Sequence, residues 1–306
     1  MELSNNVRKL AARLFEQPAP FLEALKSPVL DTRAIAWTKA RPSPMPFDVH
    51  PPENWQPSFV DRLRGEAQAG RHELHETGAY YCLDSSSVFA SCVLTAVPTH
   101  PDLLVDVCAS PGGKSIMGWL MLSPKRMICN ETIGKRLGAL KSNLTRCGVQ
   151  VAEVTCLDPS RLAEQMPSEA EVVIVDAPCS GQSLVAKGKE APGAFHPATI
   201  NMNANRQRRI LANAAQLVKP GGHLAYITCT YSEKENESNV EWFLKKFPHF
   251  KAVSVPLLDA FQSHLSRTPC YRLWPQQNVG AGSFTALLVR DSAQDQPRDS
   301  TQALAG

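Results

Sequence analysis

The sequence lacks any pattern that would assign its nine cysteines to metals or disulfides. None stands in a Cys-x-x-Cys pair, and none lies near a histidine at zinc-ligand spacing, so no metal site and no disulfide scaffold is indicated. Long apolar runs are missing as well: no stretch approaches the roughly 18 uncharged apolar residues of a membrane span. Met1 to Leu10 carries charges and no apolar run of signal-peptide length, so a cytoplasmic protein with reduced thiols and no membrane contact is expected. Most of those thiols then read as small buried hydrophobes. Charge of one sign is not in large excess either. The net charge of +3 permits a polyanionic partner without requiring one.

What is present is a globular composition, 43% hydrophobic and 20% charged, in a chain of 306 residues, long enough for a main domain and a smaller one. From residue 101 onward, short β-branched runs alternate with helical patterns, the mark of an α/β fold with helices on both faces of a doubly wound, Rossmann-like sheet. Seven strands are expected, at 103–108, 126–130, 151–156, 171–175, 223–228, 250–255 and 284–289, in a mostly parallel sheet. Apolar residues recur at helical spacing over 116–122, 132–147, 207–218 and 237–247. Residues 1–95 differ, with helical patterns at 5–16 and 58–69 around a proline-rich stretch from Pro42 to Pro52. They are read as a small N-terminal accessory region, residues 96–290 as the main domain, and the polar segment 291–306 as a disordered tail.

The first strand of the main domain runs into Asp106-Val-Cys-Ala-Ser-Pro-Gly-Gly-Lys-Ser115 and then into an apolar helix. Glycines at such a turn let a ligand approach the backbone and meet helix N-terminal N–H groups, although an ordinary tight turn looks the same. A nucleoside triphosphate loop loses its motif, because Cys108 stands where the first glycine belongs. Glu131 closes the second strand, where a carboxylate can bond both ribose hydroxyls, and Asp158 follows the third, where one can accept from an adenine amino group. Either alone is more often a helix cap or a solvated turn. Together, the turn, Glu131 and Asp158 describe an adenosyl ligand lying across the carboxyl edge of the sheet. The fourth strand then delivers Asp176-Ala-Pro-Cys-Ser-Gly181, and the fifth Thr228-Cys-Thr-Tyr-Ser232.

These motifs resemble those of the Sun (Fmu) family of RNA cytosine-C5 methyltransferases. The family's C-A-A-P-G-G-K-T motif stands here as Cys108, Ala109, Ser110, Pro111, Gly112, Gly113, Lys114 and Ser115. Its D-A-P-C-S-G motif is intact from Asp176 to Gly181, and its T-C-[ST] motif is Thr228-Cys229-Thr230. The likeness extends over residues 76–290, taking in Gly78 to Tyr81, Arg272-Leu-Trp-Pro275 and Gly282 to Ala286. The resemblance implies a class I methyltransferase fold in which strand four neighbours strands one and five and brings Cys179 and Cys229 to one edge. It further implies S-adenosyl-L-methionine as cofactor, held by residues 108–114, Glu131, Asp158 and Asp176. RNA is the implied partner, ribosomal RNA of the 16S type ahead of transfer RNA, and the enzyme is expected to be a monomer.

The roles implied follow from the chemistry. Carbon 5 of cytosine is a poor nucleophile until a thiolate adds to carbon 6, and the resemblance gives that attack to Cys229. Asp176 would contact N3 and the amino group of the base, Cys179 would assist product release, and a positive charge such as Lys114 would lower the pKa of Cys229. Two rivals remain: a DNA cytosine-C5 methyltransferase with Cys179 as nucleophile, and a non-catalytic RNA-binding assembly factor that keeps a cofactor pocket. Departures from the family pattern lie in Gln182 to Lys189 and in residues 1–70, which match only loosely. The run Asn205-Arg-Gln-Arg-Arg209 offers cations for phosphate or the solvated start of a helix, and Trp37, Tyr80, Tyr81 and Trp274 are base-stacking candidates, with burial as the default.

Overall fold

A computed structural model of the chain describes residues 3–27 and 32–292. Two short amphipathic helices come first, α1 (Asn5–Leu14) and α2 (Ala19–Lys26), which bury Val7, Ala11, Leu14, Phe21 and Leu25. Three strands follow, β1 (Arg33–Trp37), β2 (Val60–Arg62) and, after the single turn α3 (Glu73–Glu76), β3 (Tyr80–Asp84). They pair antiparallel in the order β2-β1-β3. The helix expected over 58–69 is therefore corrected to a strand and a turn. Only seven residues separate Pro57 from Gly65, too few for a stable helix, and Val60 and Arg62 are buried while Asp61 between them accepts from Trp37 Nε1 at 2.6 Å.

Asp84 ends β3 and caps α4 (Ser85–Ser91), accepting from the Ser86 amide at 2.9 Å. The α/β alternation then runs β4 (Leu103–Asp106), α5 (Gly113–Leu122), β5 (Arg126–Asn130), α6 (Leu137–Arg146), β6 (Ala152–Thr155), α7 (Pro159–Gln165) and β7 (Ala170–Asp176). It continues with α8 (Ser183–Ala186), α9 (Pro197–Leu217), β8 (Val218–Thr228), α10 (Glu237–Lys246), β9 (Phe250–Ala252), β10 (Tyr271–Leu273) and β11 (Ser283–Arg290). The sheet order is β10-β11-β8-β7-β4-β5-β6, with β9 on β11. The five strands from β8 to β6 are parallel, whereas β11 runs antiparallel to β8, β9 and β10.

Central strands buried on both faces explain the unbroken apolar runs in the sequence. Leu104 and Ile174 face one layer with Phe89, Ile116 and Leu140, while Val105, Val173 and Val175 face the other with Leu162, Leu211 and Phe243. Helix α9 starts ten residues before the expected 207, because its first half is polar; Pro197 at N1 and the His196 cap mark its true start. The N-terminal sheet approaches α6 so closely that a Cβ on Gly78, at φ +68, would lie 1.6 Å from the Arg146 carbonyl oxygen. Only glycine fits there. Arg146 Nη1 in turn donates to the His75 carbonyl at 2.7 Å. At the other end, the Asp291 amide donates to the His249 carbonyl, and residues 293–306, the rest of the expected tail, lie outside the described residues. Among the described residues, no helix is long and apolar enough to cross a membrane.

Candidate active site

Because β7 lies between β4 and β8, the loops that leave their carboxyl ends share one edge of the sheet. Cys179 follows β7, Cys229 follows β8, and their sulfurs are 3.2 Å apart. The Cys179 thiol donates to Cys229 and holds its pKa below the ordinary thiol range, against burial and the Asp176 charge and with help from Lys187 and Ser183. The same contact and burial push Cys179 up. One sulfur is thus tuned toward thiolate and its neighbour toward thiol. Cys229 is also exposed, whereas Cys92, Cys129, Cys147 and Cys270 are buried.

Lys114, expected to act on Cys229, is engaged elsewhere: its Nζ is 3.3 Å from Asp176 Oδ2, and the cation that acts on Cys229 is Lys187. Lys187 itself pairs with Asp84 at 3.1 Å, which links the N-terminal sheet to the loop after Cys179. The departure from the family pattern at 182–189 therefore includes a residue whose charge bears on Cys229. Trp37, Tyr80, Tyr81 and Trp274 are all buried in the core, so the stacking role is withdrawn for them.

Sequence reasoning missed Glu235. This fully buried carboxylate accepts from the Ser180 amide at 2.9 Å, the Ser180 hydroxyl at 2.6 Å and Gln207 Nε2 at 2.9 Å, with the Thr230 hydroxyl at 3.4 Å. Ser180 follows Cys179 and Thr230 follows Cys229, so one side chain ties both cysteine loops together. Burial raises its pKa and these donors oppose the rise. Its only sequence signal is an acidic residue soon after the fifth-strand cysteine. Asp106, at the end of β4, is likewise fully buried, and burial lifts its pKa to about 7 although Ser115 Oγ donates to it at 2.7 Å.

Beside the cysteines, a cavity of about 210 Å³ is lined by Cys108, Glu131, Arg136, Asp158, Pro178, Arg206 and Arg209, among others. Glu131 Oε1 accepts from the Ile133 amide at 2.8 Å. Its Oε2 is buried without a hydrogen-bond donor, since the Arg136 guanidinium, 2.9 Å away, lies off the hydrogen-bonding direction. A buried carboxylate oxygen left in that state suits a ligand hydroxyl. Asp158 caps α7 through Oδ1, which accepts from the Ser160 amide at 3.0 Å, so it serves as helix cap and cavity wall together. Gly112 turns the preceding loop at φ +114, and a Cβ there would touch Leu140 and Asn143. Arg136 Nη2 donates to the Ser110 carbonyl at 2.6 Å, fixing that loop against Glu131. Burial and nearby carboxylates raise the Cys108 pKa, which makes it a wall and not a nucleophile.

The run at 205–209 lies mid-helix, a correction to its reading as a helix start, and the helix splits it. Arg206 and Arg209 face the cavity, Gln207 bonds Glu235, and Arg208 donates to Asn239 Oδ1 and covers Trp242. It is not one phosphate patch. Among the described residues, no group of three or more His, Cys, Asp or Glu is arranged to hold a metal ion.

The mainly parallel sheet with helices on both faces has the fold of solved methyltransferases. NSun6 from Pyrococcus horikoshii, solved with SFG, matches at 19% identity and TM-score 0.74 over 94% of this chain and 98% of that one. A methyltransferase homologue protein from the same organism matches at 21% and TM-score 0.73, over 94% and 100%. The family follows from the sequence itself: the chain belongs to the family described as 16S rRNA methyltransferase RsmB/F, which residues 93–289 match. Ribosomal RNA small subunit methyltransferase F of Klebsiella pneumoniae is 31% identical over 72% of this chain and 47% of its own length. The Escherichia coli protein of that name is 30% identical over 72% and 46%, so this chain spans about half the length of these relatives.

Proposed function

We propose that the protein transfers a methyl group from S-adenosyl-L-methionine to carbon 5 of a cytosine in RNA, ribosomal RNA by preference, in the cytoplasm. The observation that carries this reading is the Cys179–Cys229 pair, 3.2 Å between sulfurs and with opposite pKa directions, on the same sheet edge as the Glu131 cavity, which Pro178 lines next to Cys179. The names of the curated relatives support the choice of ribosomal RNA.

Cys229 thiolate adds to carbon 6 of the base, and the ring electrons move toward N3, beside which Asp176 would sit, paired with Lys114. That addition makes carbon 5 nucleophilic, and the cofactor supplies the electrophilic methyl group it takes. Loss of the carbon 5 proton to water then re-forms the double bond and expels Cys229 as thiolate. Cys179, which keeps its proton and donates to Cys229, assists that departure by stabilising the leaving sulfur. Glu131 Oε2 would hold the ribose, Asp158 the adenine amino group, and the loop from Cys108 through Lys114 would line the path of the amino-acid arm.

The test is a pair of substitutions. Cys229→Ala should abolish both methyl transfer and any covalent link to RNA. Cys179→Ala should leave attack intact but slow release, so a protein–RNA adduct that survives denaturing electrophoresis accumulates and disappears in the double variant. An adduct from Cys229→Ala with none from Cys179→Ala would reverse the two roles and favour DNA-type chemistry.

A further inference from the structure

Two cationic side chains of the cavity take no part in the reading above. Arg206 and Arg209 belong to one face of α9, where Arg206, Arg209, Ile210 and Asn213 recur at helical spacing along the wall. Among the described residues, neither arginine side chain has a hydrogen bond or ion pair within α9 or across to another element. The other cations at this edge are committed: Lys114 to Asp176, and Arg136 to Ser110 and Glu131. Arg206 and Arg209 are both exposed to solvent, and an unpaired guanidinium on the wall of a ligand cavity is free to pair with an anionic group of the ligand.

The sheet order fixes which part of the ligand each arginine meets. Along the carboxyl edge the strands β6, β5, β4 and β7 set Asp158, Glu131, Cys108 and Pro178 in a row. With adenine at Asp158 and ribose at Glu131, the rest of an adenosyl ligand continues toward Cys108 and Pro178. Arg206 is on that side, where its charge acts on Cys108; Arg209 is one turn away, where its charge acts on Asp158. S-Adenosyl-L-methionine carries one carboxylate, at the far end of its amino-acid chain. We infer that Arg206 binds the amino-acid carboxylate of the cofactor and so makes the cavity selective for adenosyl ligands that keep it. Arg209, on the adenine side, has no part in that selection.

This inference rests on the proposed cofactor, and binding measurements separate the two without any turnover. Three thioether ligands are titrated calorimetrically into the full chain: S-adenosylhomocysteine, its decarboxylated analogue and methylthioadenosine, which lacks the amino-acid arm. Arg206→Ala should weaken S-adenosylhomocysteine by about 10- to 100-fold, the range for a charge-assisted hydrogen bond, and leave the other two within twofold of wild type. Arg206→Lys should recover part of the loss, and Arg209→Ala should leave the preference for the carboxylate unchanged. Equal weakening of all three ligands by Arg206→Ala, or no weakening of S-adenosylhomocysteine, overturns the inference while the cofactor reading stands. A folded wild type that binds none of the three overturns the cofactor reading, and this inference falls with it.

Discussion

At the scale of single residues, the site is built by environments that move protons in opposite directions. Two neighbouring thiols differ because one donates to the other, and a buried carboxylate, Asp106, holds its proton to about pH 7. The second has a consequence for stability. Asp106 is protonated in the folded state over a range where the unfolded chain has already ionised, so the folded state binds more protons there and stability falls as pH rises toward 7, then levels off. Asp106→Asn removes that dependence. Urea unfolding at about pH 5 and pH 8 should show the variant gaining roughly 2–3 kcal/mol on wild type between the two. An unchanged difference would mean that Ser115 and Lys114 hold Asp106 ionised.

Elements position what residues perform. Neither cysteine loop is regular, and the rigidity they need comes from the turn after β8, whose Glu235 bonds the residues that follow both thiols. Tyr226 on β8 donates to the Glu235 carbonyl at 2.5 Å, and Gln207 on α9 bridges Glu235 to the Pro178 carbonyl, so a strand and a helix hold the same point. Glu235→Ala would leave the Ser180 amide and Gln207 without their buried acceptor, at a cost of roughly 2–4 kcal/mol in denaturant unfolding. Glu235→Gln, which keeps one acceptor, should cost less. If Glu235→Ala unfolds at the wild-type midpoint, the two loops are fixed by other contacts. The central parallel strands β4, β5 and β7 were legible in sequence because burial makes them almost continuously apolar, whereas β2 and β10, three residues each, are too short to carry a period.

Over the whole molecule, the N-terminal segments are part of the site's support. Helices α1 and α2 pack Leu14, Phe21 and Leu25 against Val185 of α8, Phe195 before α9, Tyr231 two residues after Cys229 and Trp274 just after β10. Phe21 meets Tyr231 edge-on at 5.1 Å between ring centres and is fully buried. Beneath Tyr231, Arg272 donates to its carbonyl at 3.1 Å and pairs with buried Glu237. Phe21→Ala should therefore cost about 3–5 kcal/mol and, through Tyr231, slow formation of the Cys229 adduct. Equilibrium unfolding and single-turnover adduct assays check the two halves, and a destabilised variant with an unaltered adduct rate would detach α2 from the chemistry.

The sequence by itself determined the α/β class, the strands of the main sheet and the motifs that carry Cys108 to Lys114, Asp176 to Gly181 and Cys229. Those are local: apolar period, turn glycines and motif spacing are written in neighbouring residues. The tertiary structure decided what depends on which distant segments meet. It paired Lys114 with Asp176 and set Lys187 near Cys229, buried the aromatics offered for base stacking, made Glu235 the tie between the cysteine loops and placed Arg206 on the cavity wall. None of these has a period or a spacing, because each results from strand order and helix phase bringing together side chains far apart in the chain.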